Sequence, residues 1–387
     1  MKSLFGYGET IKAIAKSGGW NIFDDKFNTI SKDEYGNTLL PSKEFNPEIS
    51  SLEITTPGIP PSNPLIKKAQ NLISDYDYFN PKFSIWVTGT NGKTTTTEMI
   101  EYLIPNSQAG GNIGLPLANM DKDKILILET SSFTLHYTKV AKPNIFVLLP
   151  ITPDHISWHG SFEEYKKAKL SPLDRMTERD IALIPEEFKD YPTSAYKITY
   201  QNSEDLINYF DFKEIYFKEP FRLDEVLAKS VYKILFFKEK SLKNFKIDPH
   251  KIEEFQDSKN RLWVDDSKAT NIDATIQALK RYKDKKIYLI LGGDTKDQNL
   301  IPLFEELQKY NIELFLIGKD MPLFEELAKK YNIKYQNCVN LENSIKNIDQ
   351  KFIDGVALLS PASASLDQFK NYKDRGNVFK KLVEKLK

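Results

Sequence analysis

Residues 83–95, FSIWVTGTNGKTT, constrain this chain more than any other stretch. An apolar, β-type run (Phe83, Ile85, Trp86, Val87) stops at Gly89, and Gly92-Lys93-Thr94 opens a helical pattern. Strand, glycine-containing loop and helix in that order present backbone N–H groups and a helix N-terminus to a phosphate. Lys93 adds a mobile positive charge for the β/γ-phosphates, and Thr94 adds a hydroxyl for Mg²⁺. The stretch departs from the common phosphate-loop pattern at Val87, where the first glycine should stand. The alternative is an ordinary βα turn; a phosphate cradle is the expectation.

At 387 residues the chain is long for one core, which predicts two or three domains. Lys plus Arg equals Asp plus Glu at 54 each, so net charge gives no reason to expect nucleic acid or anionic lipid as a partner. The longest apolar runs, such as 145–149, fall far short of a membrane span. The N-terminus runs straight into a strand-like pattern without a long apolar signal segment. Cys338 is the only cysteine, which excludes an intramolecular disulfide and a multi-cysteine zinc site. A cytoplasmic protein is expected.

Three segments follow, 1–80, 81–246 and 247–387. In the first, a strand at 2–6, a GYG turn, a helix to Lys16 closed by Gly18-Gly19 and a strand at 20–23 resemble the start of a dinucleotide-binding unit. Its third glycine is missing, since Ile11 stands there, so a plain βα turn fits as well. Thr55-Thr56-Pro57-Gly58 is a strand end feeding a stiff turn, and Asn80-Pro81 reads as a linker.

In the second segment a helix over 95–104 leads to GGNIGLP (110–116). The apolar runs at 125–128 and 145–149 read as parallel strands buried on both faces. The first ends at Glu129, a carboxylate well placed for Mg²⁺, or else an ordinary solvated strand end. The second ends in Pro153-Asp154-His155. His155 and His159 have zinc-pair spacing, but Pro153 and Gly160 bracket them in a loop and no HExxH pattern is present. Zinc catalysis is therefore not expected, whereas a neutral His can still serve Mg²⁺ or a phosphate. Ser161 and Glu164 read as a capping box opening a helix. Its Lys166, Lys167 and Lys169, taken alone, are a solvated basic face. Further strands are expected at 181–184 and 215–217, and a helix over 224–238.

In the third segment, strands at 262–264, 287–291 and 356–359 end in DDSKATN (265–271), GGDTK (292–296) and SPASAS (360–365). The carboxyl edge of an open α/β sheet is where ligands bind, so three polar strand ends in one domain favour a substrate site. Pro302 and Pro322 each start a helix.

Taken together, GTNGKTT (89–95), GGNIGLP, LETSSF (128–133), the Asp154-His155 pair, YKKAK (165–169), DDSKATN, GGDTK and SPASASLDQFKNYKDRG (360–376) resemble the Mur ligase family along essentially the whole chain. The resemblance implies an α/β protein of three domains, each a mostly parallel sheet with flanking helices. These would be a Rossmann-like N-terminal domain for a UDP-linked substrate, a central P-loop ATPase domain and a Rossmann-like C-terminal domain for an amino acid. The DDSKATN, GGDTK and SLDQFKNY set is like that of the members that add D-glutamate to UDP-N-acetylmuramoyl-L-alanine through an acyl phosphate, in peptidoglycan precursor synthesis. Folylpolyglutamate synthases share the phosphate loop and the chemistry, and Mur ligases for other amino acids share the first two domains. A nucleotide-binding module without ligase activity is the alternative from another class.

By the same resemblance, Gly89, Thr90, Asn91, Gly92, Lys93, Thr94 and Thr95 would hold ATP, with Asn271 near the adenine and Lys251 as a further ATP contact. Thr94, Glu129, His155 and Lys169 would serve two Mg²⁺ ions, Lys169 as a carbamate formed with CO₂. Lys93, Glu129, His155 and Lys169 are the implied catalytic set. Thr10, Asp25, Lys26, Thr56, Gly58, Asn112 and His155 would hold the UDP substrate, and Thr270, Lys296, Ser365 and Tyr372 D-glutamate. A monomer whose third domain closes onto the second is implied. His250-Lys251 stands where the family often has His-Arg, and Tyr372 where it commonly has phenylalanine; a lysine keeps the charge but loses the fork of a guanidinium.

Overall fold

The computed structural model describes residues 1–296 and 298–386. The chain forms two compact units, Met1–Phe245 and a second from Lys246 onward. The first unit holds two sheets and the second holds one.

The first sheet is built from β1 (Lys2–Phe5), β2 (Asn21–Phe23), β3 (Ser31–Lys32), β4 (Thr38–Leu40), β5 (Leu52–Thr55) and β6 (Leu72–Ile73), in the order β3-β4-β2-β1-β5-β6. Only β3 runs antiparallel to its neighbour. Leu4 pairs with Ile22 on one side and Ile54 on the other, and all three are fully buried. That apolar centre points the turns after β1, β2 and β5 to one edge.

The second sheet contains β7 (Ser84–Thr88), β8 (Ser107–Gly111), β9 (Ile125–Glu129), β10 (Ile145–Leu148), β11 (Ile181–Pro185) and β12 (Tyr196–Tyr200), all parallel. Their order, β12-β11-β10-β7-β9-β8, reverses direction at β7. Ile85, Trp86, Val87, Ile127, Leu128 and the 146–148 run are fully buried, as continuous apolar strands covered on both faces must be. The crevice at the β7/β10 switch point is where a sheet of this type opens toward a ligand.

The third sheet holds β13 (Glu253–Gln256), β14 (Leu262–Asp265), β15 (Ile287–Gly292), β16 (Ile312–Ile317), β17 (Tyr335–Val339) and β18 (Val356–Leu359), ordered β13-β14-β18-β15-β16-β17. β13 alone is antiparallel. The ends of β14, β18 and β15 therefore lie side by side.

Two local expectations fail. Residues 215–217 form no strand, because the N–H groups of Tyr216 and Phe217 donate to the Glu225 carboxylate at 2.9 and 2.8 Å instead of to a ladder. The 153–160 segment is not all loop, since Ile156–His159 makes one helical turn after His155, which sits at φ +53°. No described helix is long and apolar enough to cross a membrane.

Candidate functional site

β7 delivers the chain at Gly89, and the helix Lys93–Leu103 starts four residues later. Both turn glycines are required. Gly89 has φ +148° and Gly92 +83°; a Cβ on Gly89 would meet the Leu149 Cβ at 2.5 Å, and one on Gly92 the Asp224 Oδ1 at 2.5 Å. The loop is thus pressed against the end of β10 on one side and a buried carboxylate on the other. Lys93 Nζ donates to the Gly89 and Thr90 carbonyls at 3.0 and 2.7 Å, which curls it over its own loop. Val87, at the position of the missing glycine, is simply a buried strand residue, and the tight turn begins two residues later.

Glu129 leaves the end of β9 beside this loop. Thr94 Oγ1 donates to its Oε2 at 2.8 Å and Asn112 Nδ2 to its Oε1 at 2.7 Å. The GGNIGLP loop and the phosphate loop are therefore tied through one buried carboxylate. An anionic oxygen next to a hydroxyl at the rim of a phosphate loop is a donor set suited to Mg²⁺, so the residues present fit that ion.

Lys169 separates from the lysines around it. Lys166 and Lys167 are at least partly exposed, but Lys169 is 2% exposed. Its Nζ donates to the Gly89 carbonyl at 2.7 Å and the Thr88 hydroxyl at 3.3 Å. The amine also lies 4.9 Å from the Tyr165 ring, whose hydroxyl is 3.0 Å from Thr90 Oγ1. Burial, and then the Lys93 charge, pulls the Lys169 pKa well below the usual lysine range, while Asp154 and Glu129 oppose the shift. Burial of this kind disfavours the ammonium form and so favours the amine relative to a solvated lysine.

His155 is half-exposed, with Nε2 3.7 Å from the Asp154 carboxylate and its ring against Phe133 at 4.7 Å. His159 makes a different contact, its Nε2 lying 3.0 Å from Ser132 Oγ. Burial, helped by His136, His155 and Lys169, pushes its pKa down to about 3. Among the described residues the group of three metal-type side chains within reach of one another is His250, Glu253 and Asp265, in the other unit.

At the edge of the first sheet, Thr10 lies in the first turn of Glu9–Ala15, and Thr56 packs against Gly6 and Gly8. Gly58 follows in the same turn as Thr56. Asp25 and Lys26 are exposed, and the carboxylate that organises the end of β2 is Asp24, which accepts from the amides of Tyr7 and Lys26 at 2.6 and 2.9 Å.

In the second unit the three polar strand ends meet. Ser267 Oγ donates to the Tyr372 carbonyl at 2.8 Å, Asp294 pairs with Ala364 in a β-bridge, and the Gln298 amide donates to the Thr270 carbonyl at 3.4 Å. Lys296 follows in a left-handed turn (φ +50°), its N–H on Asp294, and Ser365 is buried. Asn271 caps the helix Ile272–Arg281 by accepting from the Ala274 amide at 3.0 Å. Lys251 Nζ lies 3.2 Å from Asp248, and His250 Nδ1 2.6 Å from Asp265. Burial pushes Asp266 up to about 8, against hydrogen bonds from Ser360 and the Ile252 amide.

Several contacts at these sites carry no sequence signal. Asp224 reaches the loop from a helix more than a hundred positions away and accepts from Thr96 Oγ1 at 2.9 Å. Thr88, Tyr165 and Arg375 lie inside the motifs quoted above, but their contacts are visible only once the elements are packed.

Comparison with known proteins bears on this geometry. Residues 87–248 match the Mur ligase middle domain. The chain is 49% identical over 400 residues, 99% of each chain, to a UDP-N-acetylmuramoylalanine--D-glutamate ligase from Campylobacter jejuni subsp. jejuni serotype O:23/36. It is 44% identical over 418 residues, again 99% of each, to the enzyme of that name from Helicobacter pylori strain J99. Among solved structures, MurF ligase from Thermotoga maritima in complex with ADP aligns at TM-score 0.57 and 18% identity, over 87% of this chain and 90% of that one. Folylpolyglutamate synthase from Mycobacterium tuberculosis, complexed with ADP and AMPPCP, aligns at 0.56 and 12%, over 78% and 92%. At such identities these two likenesses show a shared fold.

Proposed function

The chain belongs to the Mur ligase family, in its group of UDP-N-acetylmuramoylalanine--D-glutamate ligases, and we propose that it carries out that group's reaction. It joins the amino group of D-glutamate to the carboxyl of UDP-N-acetylmuramoyl-L-alanine, with ATP converted to ADP and phosphate. A carboxylate is not attacked by an amine at a useful rate, because oxide cannot leave. Transfer of the γ-phosphoryl group to that carboxylate makes an acyl phosphate. The deprotonated amine adds to its carbonyl, the tetrahedral intermediate expels phosphate, and the amide remains.

The first step brings two anions together, and the protein's part is positioning and charge. Lys93 and the loop N–H groups hold the β/γ-phosphates. Thr94, Glu129, His155 and Lys169, the last as a carbamate, would hold Mg²⁺. When bound, Mg²⁺ supplies positive charge between the phosphate and the acid. The uncharged amine of Lys169 is the form that adds to CO₂, releasing a proton and leaving an oxygen donor where the chain otherwise offers nitrogen. The edge of the first sheet (Thr10, Asp25, Lys26, Thr56, Gly58) and Asn112 serve the UDP precursor. Thr270, Lys296, Ser365 and Tyr372 serve D-glutamate, and Lys251 and Asn271 serve the nucleotide. Use of ATP and of a nucleotide-linked precursor favours the cytoplasm, and one chain carries all these groups, as a monomer requires.

The observation that supports this reading most is the linkage of Lys93, Lys169 and Gly89 on one side and Thr94, Glu129 and Asn112 on the other. It brings two lysine amines, the turn of the glycine loop, a hydroxyl and a carboxylate within one loop's reach, the groups that a phosphate and an ion would need. The test supplies ATP, Mg²⁺ and UDP-N-acetylmuramoyl-L-alanine with a panel of amino acids. Phosphate release that depends on D-glutamate supports the reading. Release with glutamylated folate, or with another amino acid alone, overturns it.

A further inference from the structure

Arg375 is 1% exposed, in the first turns of the helix Tyr372–Glu384. Its Nε donates to Ser267 Oγ at 3.0 Å, and its Nη2 to the carbonyls of Ser267 and Ser363 at 2.9 and 3.0 Å. Those two residues belong to the DDSKATN and SPASAS strand ends. The third strand end lies nearby: a Cβ built on Gly293 would come within 3.4 Å of Nη1 and 3.2 Å of the Ser363 Cβ. One guanidinium thus ties two of the loops together and lies beside the third.

For stability alone this is a poor arrangement. Nη1 and the Ser363 hydroxyl are buried without a hydrogen-bond partner, and a buried polar group left unpaired is destabilising. Burial also pulls the Arg375 pKa down to about 10, although Asp367, Asp265 and Asp266 favour its charge. An apolar side chain of similar volume would avoid both penalties. What it would lose is the planar fork that reaches from one loop to the next.

We propose that Arg375 is a positioning residue of the amino-acid site, whose guanidinium sets the spacing of the Ser267, Gly293 and Ser363 loops and so the fit of an acidic amino acid between them. This rests on the amino-acid site placed above. Arg375 does not itself touch the substrate. It acts through Thr270, Lys296 and Ser365, each within three residues of a loop position it fixes.

Arg375→Lys keeps a positive charge but replaces the fork with a single point. KM for D-glutamate is expected to rise tenfold or more, with KM for ATP and for the UDP precursor within twofold of wild type. Arg375→Ala, where it folds, is expected to regain D-glutamate affinity when guanidinium chloride is added at millimolar concentration. A purely structural role predicts otherwise: a lower melting temperature, equal change in all three KM values and no rescue. Either that pattern or an unchanged KM for D-glutamate in Arg375→Lys overturns the proposal. If the wild-type chain ligates a different amino acid, the functional reading falls. The same split, measured with that amino acid, still decides on Arg375.

Discussion

The Nζ of Lys169 lies 2.7 Å from the carbonyl oxygen of Gly89, so the buried amine and the turn of the phosphate loop form one hydrogen-bonded unit. A charge change at Lys169 is felt directly by the loop. Lys169→Ala is expected to lower kcat by on the order of 100-fold or more, the scale of losing one group that stabilises transition-state charge. Formate or acetate in the assay restores part of the rate if the missing group is a carbamate. Removal of CO₂ and bicarbonate should lower wild-type activity and leave the variant unchanged. A variant as active as wild type would contradict the assignment.

Glu129 is held at both oxygens, by Thr94 and Asn112. Glu129→Gln can keep both contacts, its amide oxygen accepting from Asn112 and its NH₂ donating to the Thr94 hydroxyl, so what it removes is the anionic charge. We expect the Mg²⁺ concentration for half-maximal activity to rise at least tenfold. Lys93→Ala should abolish acyl-phosphate formation altogether. Trapping the intermediate with hydroxylamine, with D-glutamate omitted, separates the two: Glu129→Gln regains signal at high Mg²⁺ and Lys93→Ala does not.

How much of this was readable in the sequence depends on how far apart the cooperating residues lie. The turn and helix start that place Lys93 and Thr94 were legible because a strand, glycine loop and helix are set by consecutive residues. Buried parallel strands were legible as unbroken apolar runs. Lys169 was not separable from Lys166 and Lys167 by pattern, because helical spacing shows which residues share a face but not which face is covered. Asp224 and Arg375 contact loops more than a hundred residues away in sequence; no local signal marks Asp224, and the motif that contains Arg375 does not show what it reaches. Residues 215–217 have strand-like composition, but Glu225 takes the N–H groups a strand would need. Asp24 and Asp25 both stand at the end of β2, and the turn geometry alone shows that Asp24 is the one that accepts from the Tyr7 and Lys26 amides.

Asp77, in the short helix Asp75–Phe79, accepts from the amides of Lys139, Val140 and Ala141 at 2.8, 2.8 and 2.7 Å. It pins a segment between the first two sheets to the loop after Ser132–Tyr137. Asp77→Ala leaves those three N–H groups, and the Ser74 amide that donates to the same carboxylate at 3.4 Å, to water or to nothing. The variant is expected to be less stable by about 2 kcal/mol, in line with losing charge-assisted bonds at a half-exposed site. Urea unfolding followed by circular dichroism measures this, and an unchanged midpoint would refute it.

Asp266 gives the stability a defined pH dependence. Its carboxyl is buried and its pKa lies at about 8 in the folded protein, against a usual carboxylate value near 4 in an unfolded chain. The folded state therefore keeps a proton that the unfolded state releases. Its contribution is fully present below the unfolded pKa and falls as pH rises from about 4 toward 8, then levels off. Asp266→Asn removes the titration while retaining an oxygen that accepts from the Ile252 amide. The variant should gain stability relative to wild type as pH rises from 5 to 8, and the difference should stop growing above about 8, where the wild-type carboxyl is ionised in both states. Thermal unfolding at four or five pH values across that interval tests the sign. A melting-temperature difference that is flat, or that shrinks as pH rises, would show that the buried acid is ionised throughout.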